Sequence, residues 1–332
     1  MSKPIFIIAE AGVNHNGSLD LAKKLIDKAL WAGADAVKFQ SFKANSLMTE
    51  SAPKAAYQKI NTGEESQFDM IKRLELDYDS HILLKEYADK KGIEFMSTPF
   101  DHESIDLLSE IGVKRFKVGS GDLTNLPYLR HMAGKSIPII LSTGMSDMEE
   151  IKSVVSAIKN TGFPQSLITI LHATTEYPAP VNEVNLKAMQ SMSKELGIEI
   201  GYSDHTQGIE VPIAAAALGA TVIEKHFTLD RNMDGPDHKA SLEPQELKEM
   251  VEAIRKVELS LGDGIKVPTL SESKNKTAAR KSLIAAKSIV KGEVFTEENL
   301  CVKRPGSGIS PMKWDEFIGK PSQKNYDKDE LI

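Results

Sequence analysis

The chain has 332 residues, of which 41% are hydrophobic and 27% charged, and its formal net charge is −6. This composition is typical of a globular protein with room for one large domain and a small second one. It has neither a basic tail nor a run of lysine and arginine, which argues against nucleic acid or an anionic membrane as the main partner. An anionic substrate would therefore need a local basic pocket in an acidic protein.

The N-terminal segment MSKPIFIIAEAG has an apolar run that is too short for a signal peptide. No stretch of the chain approaches the roughly 20 apolar residues that a membrane helix needs. Cys301 is the only cysteine, so the chain forms no intramolecular disulfide. We therefore expect a cytoplasmic protein.

Eight short apolar segments each run into a polar residue, and helical stretches separate most of them. A succession of strands and helices of this kind predicts an α/β fold, the (β/α)8 TIM barrel, whose active site lies at the C-terminal ends of the strands. Polar groups at those ends are hard to explain as packing, so we expect them to form one site. In chain order, the predicted strands are 5–10, 36–40, 93–98, 115–119, 137–142, 167–172, 198–203 and 221–226.

The connection between the second and third predicted strands, residues 41–92, is longer than a barrel requires. It contains the polar sequence SAPKAAYQKINTGEESQ, followed by helical pieces around 68–76 and 80–91. Loops of this length in a compact domain are often lids or substrate loops. We therefore expect this connection to border the active site.

The domain organisation follows from composition towards the C-terminus. A helix over 244–261 would close a catalytic barrel that spans residues 1–262. Residues 263–276 have the Gly, Pro, Ser and Lys content of a linker. Residues 277–332 then form a small β-rich domain with short strands, Gly-containing turns and one short helix.

His205 and His226 stand at the ends of the last two predicted strands. Neighbouring strands lie about 4.8 Å apart, so both imidazoles could bind one metal ion. Asp204, beside His205, and Glu224, on the same strand face as His226, are candidates to orient the imidazoles. Two hydrogen-bonded structural histidines are the alternative. We favour a Lewis-acid metal, because a site with only two protein ligands leaves coordination positions for water or substrate. The sequence does not distinguish among Mn, Co, Fe, Zn and Mg.

Lys38 and Lys117 stand at the inward ends of two predicted strands, where an amine is costly to bury unless an anion meets it. The backbone N–H groups of GSG at 119–121 and STG at 142–144 lie where the chain turns, and hydroxyl groups come from several strands. Together these groups make a plausible phosphate cradle. Its hydroxyl-bearing residues are Thr98, Ser120, Ser142 and Ser203.

Two alternatives explain the same lysines. They could form buried ion pairs with Glu10, Asp122 or Glu224, or one of them could be the Schiff-base nucleophile of an aldolase. Glu10 and Asp122 are themselves carboxylates near strand ends, and so are candidates for acid–base chemistry.

Three further residues are candidates for substrate contacts. Asp237, in GPDHKAS, and Tyr177, in TEYPAP, could contact a polyol or could be ordinary loop residues. Arg304, in KRPGSGISP, is either a binding residue held on a rigid turn or a solvated surface arginine.

Nine motifs resemble, in order, those of the sialic acid synthase (nonulosonic acid synthase) family: IAEAGVNHNG, VKFQSFKA, STPFD, FKVGSGD, LSTGM, YSDHT, EKHFTLD, GPDHKAS and KRPGSGISP. The match covers nearly the whole chain, and the C-terminal domain resembles the antifreeze-like (SAF-type) domain of that family. The resemblance implies a transferase. It would condense phosphoenolpyruvate with an open-chain N-acylmannosamine-type sugar to a nine-carbon 2-keto acid and phosphate.

The resemblance also implies roles for individual residues. His205 and His226 would bind Mn2+, with Mg2+ or Co2+ as alternatives, and Glu10 would position or protonate groups at the reacting centre. Asp122 stands where many relatives carry Glu, so its carboxylate is withdrawn by one methylene. Phosphoenolpyruvate would bind to Lys38, Thr98, Lys117, Ser120, Ser142 and Ser203, and the sugar to Gln40, Tyr177, Asp237 and Arg304. Arg304 would reach the site of a partner subunit, because the family forms domain-swapped homodimers.

The sugar acceptor stays open at this stage. TTEYPAP, NLKAMQSM and LGDGIK resemble the branch that makes N,N′-diacetyllegionaminic acid. The APKAAYQ…NTGEESQ loop and KRPGSGISPM resemble bacterial N-acetylneuraminate synthases equally well. A Schiff-base aldolase on the same barrel and a non-catalytic carbohydrate-binding protein are the competing interpretations.

Overall fold

The computed structural model describes residues 3–49, 51–53 and 66–332. The chain divides into two compact units, Met1–Gly262 and Asp263–Ile332. The strands of the first unit are β1 Phe6–Gly12, β2 Ala36–Ser41, β3 Glu94–Pro99, β4 Phe116–Val118, β5 Ile139–Ser142, β6 Ile168–Ala173, β7 Glu199–Asp204 and β8 Val222–His226.

These eight strands form one closed parallel sheet. They are hydrogen-bonded in the order β3-β2-β1-β8-β7-β6-β5-β4, and each of these pairings is parallel. β3 also contacts β4, so the two ends of this order meet. The predicted (β/α)8 barrel is confirmed, and each strand lies within two residues of its predicted bounds.

Helices follow the strands and cover the outside of the barrel. Ser18 accepts a hydrogen bond from Leu21 N at 3.3 Å and so caps the first helix, which ends at Gly33 in the left-handed conformation (φ 85°). The helices are α1 Leu19–Ala32, α2 Ala44–Leu47, α3 Gln67–Arg73, α4 Tyr78–Lys91, α5 His102–Glu110, α6 Leu126–Ala133, α7 Met148–Lys159, α8 Lys187–Leu196, α9 Glu210–Ala217 and α10 Pro244–Leu261.

The strands bury apolar side chains on both of their faces. Val37 and Phe39 of β2 pack outward in the large core that includes Leu25 and Ile26 of α1. Inside the barrel, a second cluster takes one residue from each of six strands: Ile8, Ala36, Met96, Ile140, Leu171 and Val222. Each of these residues except Leu171 comes two positions before a polar residue that the sequence predicted to lie at a strand end. The barrel interior is therefore filled by an apolar layer, and the polar side chains form the next layer towards the C-terminal ends of the strands.

The long connection after β2 is only partly described. Residues 50 and 54–65, which include most of the predicted substrate loop, lie outside the described residues. Its two helical pieces are confirmed as α3 and α4. No helix in the described part of the chain is both long and apolar enough to cross a membrane.

The second unit has a small core of its own. Strands β9 Ser282–Ala285 and β10 Leu300–Lys303 pair antiparallel, and a short helix, α12, spans Trp314–Phe317. Residues 263–276, predicted as a linker, contain the beginning of another helix, α11 Leu270–Ala279. This helix starts with a capping box, in which Thr269 and Glu272 exchange side-chain-to-backbone hydrogen bonds.

Candidate active site

A polar pocket of about 170 Å³ lies at the C-terminal ends of the barrel strands. Twelve of the side chains predicted from the sequence line it: Glu10, Lys38, Gln40, Thr98, Lys117, Ser120, Ser142, Tyr177, Ser203, His205, Glu224 and His226. Its other lining residues are Phe100, Gly119, Gly121 and Thr175. The strand ends thus meet in a single site.

Lys38, from β2, lies between two carboxylates. Its Nζ forms an ion pair with Glu10 and lies 3.6 Å from Glu224 Oε2. It also donates a hydrogen bond to Thr98 Oγ1 at 3.0 Å. Burial would lower the pKa of Lys38, but Glu10 and Glu224 outweigh it and raise the pKa, so the amine is charged.

Lys117, from β4, is held by a hydroxyl group and a carboxylate. Its Nζ donates to Ser142 Oγ at 2.7 Å and lies 3.4 Å from Glu224 Oε1. Burial lowers the pKa of Lys117, and the attraction of Glu224 opposes this effect. The buried ion pairs weighed as an alternative are therefore present, with Glu224 shared by both lysines.

Glu10 and Glu224 differ in their protonation. Burial raises the pKa of Glu10 to about 7, although Lys38 opposes the rise. Burial would also raise the pKa of Glu224, but Lys117 and Lys38 lower it to about 2. One buried carboxylate is thus ionised throughout the neutral range, while the other exchanges its proton near neutral pH. Such a divergence within one pair of carboxylates is typical of acid–base sites.

A cradle for an anion lies beside Lys117. Ser120 Oγ accepts a hydrogen bond from Gly144 N at 3.0 Å. Thr175 Oγ1 also lines the pocket and is buried without a hydrogen-bond partner among the described residues. A Cβ on Gly144 would lie 2.0 Å from Thr175 Oγ1, so only glycine leaves this hydroxyl in place. Sequence reasoning missed Thr175, although it follows a predicted strand end.

Asp122 is displaced from the pocket lining. The chain turns after Gly119 into a 3-10 turn over Ser120–Asp122, and Asp122 Oδ1 accepts a hydrogen bond from Asn125 Nδ2 at 3.3 Å. Burial raises the pKa of Asp122. The structure therefore brings Ser120 into the pocket but points the third residue of this turn towards Asn125.

The two predicted metal ligands are close together, and their free nitrogen atoms fit a metal ion. The ring centroids of His205 and His226 are 5.6 Å apart. His205 Nδ1 lies 2.6 Å from the carbonyl oxygen of Thr174. A carbonyl only accepts, so Nδ1 carries the proton and Nε2 keeps its lone pair. His226 Nδ1 is buried and has no hydrogen-bond partner in the described part of the chain.

The charge state of these imidazoles suits metal binding as well. Burial lowers the pKa of both His205 and His226, so both are neutral, as metal ligands must be. Among the described residues, no group of three or more His, Cys, Asp or Glu side chains could hold a metal ion. Water or substrate would therefore supply the remaining ligands.

The expected direct contact between Asp204 and the imidazole of His205 is wrong. Asp204 points away from the pocket and forms a buried ion pair with Lys225. The carbonyl of Thr174 takes the place that was expected for Asp204 next to His205. Adjacent residues of a strand face opposite sides, so Asp204 cannot reach the imidazole of its neighbour.

Three predicted residues for sugar contacts lie around the imidazoles and Glu10. The Tyr177 ring centroid is 4.2 Å from that of His205. A Cβ on Gly12 would lie 3.5 Å from Gln40 Nε2 and 3.6 Å from Asp237 Oδ2, which puts these two side chains near each other. Burial raises the pKa of Asp237 to about 6, with Lys38 opposing. Arg304, by contrast, is an exposed residue of the second unit, just after β10.

Three comparisons with known proteins agree with this fold. The NeuB family model matches residues 25–266, and the SAF domain model matches residues 280–332. The N,N′-diacetyllegionaminic acid synthase of Campylobacter jejuni is 57% identical over 331 residues, which cover 99% of both chains. The enzyme of the same name from Legionella pneumophila is 48% identical over 328 residues, covering 98% of this chain and 92% of its own.

A solved structure shares the architecture. The N-acetylneuraminic acid (sialic acid) synthetase of Leptospira borgpetersenii superposes with a TM-score of 0.72 at 38% identity, covering 82% of this chain and 90% of its own. The resemblance to nonulosonic acid synthases and the SAF-type C-terminal domain are thereby confirmed. The chain belongs to the NeuB family.

Proposed function

We propose that this enzyme condenses phosphoenolpyruvate with 2,4-diacetamido-2,4,6-trideoxymannose to form N,N′-diacetyllegionaminate. C3 of phosphoenolpyruvate bonds to the aldehyde carbon of the open-chain sugar, water adds at C2, and phosphate leaves. The observation that carries the reaction type is the convergence of two buried lysines, several hydroxyls and two neutral imidazoles on one pocket. The choice of acceptor is supported by the 57% and 48% identity to synthases of that name, against 38% to the sialic acid synthetase.

Phosphoenolpyruvate would lie on the lysine side of the pocket. Below about pH 7, where Glu10 holds its proton and Glu224 is ionised, Lys38 and Lys117 give the pocket more positive than negative charge while both amines are protonated. Charge-assisted hydrogen bonds to phosphate and carboxylate oxygens are the strong ones in such a site. We assign the anion to Lys38, Thr98, Lys117, Ser120, Ser142 and Ser203.

His205 and His226 would hold the divalent metal, which we propose to be Mn2+. When bound, the metal supplies a Lewis acid that polarises the sugar aldehyde. The chain's own part is to keep both imidazoles neutral and fixed, with Thr174 holding the proton of His205 on Nδ1. Glu10, whose pKa is about 7, can hold or release a proton beside the reacting centre. Asp122 stays a candidate for a supporting role in acid–base chemistry.

The sugar would contact Gln40, Tyr177 and Asp237, and Arg304 would be contributed by the second protomer of a domain-swapped homodimer. This arrangement supports a division of labour between a barrel at 1–262 and an antifreeze-like domain at 277–332, joined through 263–276. We also propose a cytoplasmic enzyme, because phosphoenolpyruvate is made inside the cell.

Mixing Arg304→Ala with His226→Ala protomers tests whether Arg304 acts in the barrel of the partner protomer. Activity should return in the mixed dimers, since one site then has an intact barrel and an intact arginine. No recovery would mean that Arg304 acts in its own barrel, and an active Arg304→Ala homodimer would mean that it acts in neither.

The deciding experiment is phosphate release from phosphoenolpyruvate with each of two sugars, 2,4-diacetamido-2,4,6-trideoxymannose and N-acetylmannosamine, with Mn2+ and with EDTA. We expect metal-dependent release with both substrates present, and a higher kcat/KM for the diacetamido sugar. Preference for N-acetylmannosamine would change the product to N-acetylneuraminate. Condensation that ignores EDTA and uses pyruvate instead of phosphoenolpyruvate, together with borohydride trapping of the keto acid on Lys38 or Lys117, would replace the synthase by a Schiff-base aldolase. The lowered pKa of Lys117 makes this control necessary.

A further inference from the structure

Lys225 and Asp204 form an ion pair on the outer side of the two strands that carry the imidazoles. Lys225 Nζ lies 2.5 Å from Asp204 Oδ2, and both side chains are 0% exposed. Glu224 and His226, which flank Lys225 in the sequence, line the pocket. Side chains alternate along a strand, so the ion pair lies behind the wall from which the imidazoles project.

The same ion pair brackets the main chain of His205. Asp204 Oδ1 accepts hydrogen bonds from Thr206 N at 3.1 Å and from Thr206 Oγ1 at 2.9 Å. Lys225 Nζ donates to the carbonyl oxygen of Thr206. Lys225 thus holds the residues on both sides of His205, while Thr174 holds the ring of His205 itself.

The backbone pairing of β7 with β8 ends at this point. The register pairs Tyr202 with Ile223, and its last pair is Asp204 with Lys225. His205 and His226 each stand one residue beyond that pair. The side chains of Asp204 and Lys225 are therefore the tie between the two strands that lies nearest to the imidazoles.

Stability alone is a weak reason for such a pair. Replacing a buried ion pair by apolar side chains of similar volume is often neutral or stabilising, whereas buried polar partners can fix one geometry. Removal of groups that orient metal ligands without binding the metal themselves typically lowers metal affinity. Lys225 and Asp204 have the position of such groups, although neither lines the pocket.

We propose that Lys225 and Asp204 are positioning residues that fix the separation of His205 and His226 and thereby set the affinity of the site for a divalent metal. This inference rests on the proposed assignment of the two histidines as metal ligands. It concerns the substrate-free protein, so it can be tested by metal binding without turnover.

The test variant is Lys225→Met/Asp204→Asn in the full-length protein. It removes both charges together and keeps side-chain volume and an acceptor for Thr206, so no buried charge is left unpaired. Mn2+ binding is measured from the free-ion signal in electron paramagnetic resonance, at a temperature where circular dichroism shows the variant to be folded. We expect the Kd for Mn2+ to rise about 10- to 100-fold.

The control removes a less buried cross-strand ion pair from the other end of the barrel. Arg115 Nε lies 2.6 Å from Glu94 Oε1, where β3 begins. Arg115→Met/Glu94→Gln should keep the Kd for Mn2+ within about twofold of the wild-type value, because these residues are remote from the imidazoles. An equal loss of affinity in this control would show a general effect of destabilisation and overturn the proposal.

Further outcomes distinguish failure of the metal assignment from failure of the positioning role. Wild-type protein that binds no Mn2+, or a His226→Ala variant that binds it normally, would remove the metal assignment itself. Wild-type binding with an unchanged Kd in Lys225→Met/Asp204→Asn would overturn only the positioning role. If that variant does not fold, Thr206→Val is measured instead, because it removes one hydrogen-bond donor to Asp204 and leaves both charges in place. A several-fold weaker affinity for Mn2+ in Thr206→Val supports the proposal, and an unchanged affinity overturns it.

Discussion

Lys117 Nζ lies 3.4 Å from Glu224 Oε1, and the second oxygen of the same carboxylate lies 3.6 Å from Lys38 Nζ. One carboxylate therefore contacts both buried ammonium groups, whereas Glu10 forms its ion pair with Lys38. Burial would raise the pKa of Glu224, but the two lysines together lower it to about 2. Both lysines of the substrate-free pocket depend on this negative charge, and an anionic substrate can take over part of its role.

Glu224→Gln should therefore destabilise the protein more than most single substitutions. Two buried lysines then keep only Glu10 as a carboxylate partner, and breaking a buried pair in this way costs about 3 kcal/mol or more. Urea denaturation in metal-free buffer measures the change, with Glu94→Gln as the control at a more exposed ion pair, where about 1 kcal/mol or less is expected. Phosphate should restore part of the loss. A change no larger than that of Glu94→Gln would contradict the shared-carboxylate account.

Lys117→Met should weaken phosphoenolpyruvate binding. It removes a charge-assisted hydrogen bond worth about 1.5–3 kcal/mol, so kcat/KM for phosphoenolpyruvate should fall about 10- to 100-fold. The KM for the sugar should change far less. Lys152→Met, at a partly exposed lysine of α7 that pairs with Glu149, is the matched control. Equal effects on both substrates would argue against a specific contact between Lys117 and the phosphate or carboxylate group.

The titration of Glu10 should appear in the pH dependence of stability. Its pKa is about 7 in the folded protein, against 4.5 for an ordinary glutamate. The folded state thus binds this proton more tightly, so the contribution is fully present below pH 4.5 and is lost as the pH rises through 7. In metal-free buffer, the unfolding free energy of the wild type relative to Glu10→Gln should fall by about 3 kcal/mol from low to high pH. A difference that does not vary with pH would place the Glu10 pKa near its ordinary value.

Metal removal should lower thermal stability through His205 and His226. A ligand that binds only the folded state stabilises it by about 2.7 kcal/mol at 100 times its Kd. Mn2+ should therefore raise the Tm of EDTA-treated wild-type protein and should leave that of His226→Ala nearly unchanged. Scanning calorimetry at several Mn2+ concentrations measures both. A rise in His226→Ala equal to that of the wild type would locate the responsible ion elsewhere.

Gly144→Ala should disturb the anion cradle. The new Cβ would lie 2.0 Å from Thr175 Oγ1 and 2.9 Å from Ser120 Oγ, so side chains or backbone must shift. Overpacking of this kind costs about 1–3 kcal/mol, and phosphoenolpyruvate should also bind more weakly. Gly121→Ala is the control for stability, because its Cβ would meet nothing within 4 Å. Equal stability of the two variants would indicate that Thr175 moves freely.

The barrel and most of its pocket are predictable from the sequence for a simple physical reason. Strands of a parallel barrel are buried on both faces and read as short apolar runs, so a charged residue within such a run faces either the polar site inside the barrel or a buried partner on the outer side, as Lys225 does with Asp204. Lys38 stands between Val37 and Phe39, and Lys117 between Phe116 and Val118. All four apolar neighbours are buried, and both lysines line the pocket.

Three features of the structure were harder to predict from the sequence: the position of Asp122, the pairing of Asp204 with Lys225, and the helix α11. Asp122 leaves the pocket because the chain turns sharply after Gly119, and the run of sequence does not show the direction of that turn. The pairing of Asp204 with Lys225 joins two strands whose register is known only from the fold. The helix α11 did have a signal, since Thr269 and Glu272 form the T-x-x-E pattern of a capping box, but the composition of the surrounding segment favoured a linker.

Three successive ionisable residues, Glu224, Lys225 and His226, are all buried in one strand, which is possible only because they point to opposite sides of it. Inserting or deleting a single residue in β8 would exchange the two sides. The amine would then enter the pocket, and the carboxylate and imidazole would enter the apolar layer under the helices. Length changes within β8 are thus far more damaging than any single substitution there, and natural variation in chain length should fall in the connections between strands.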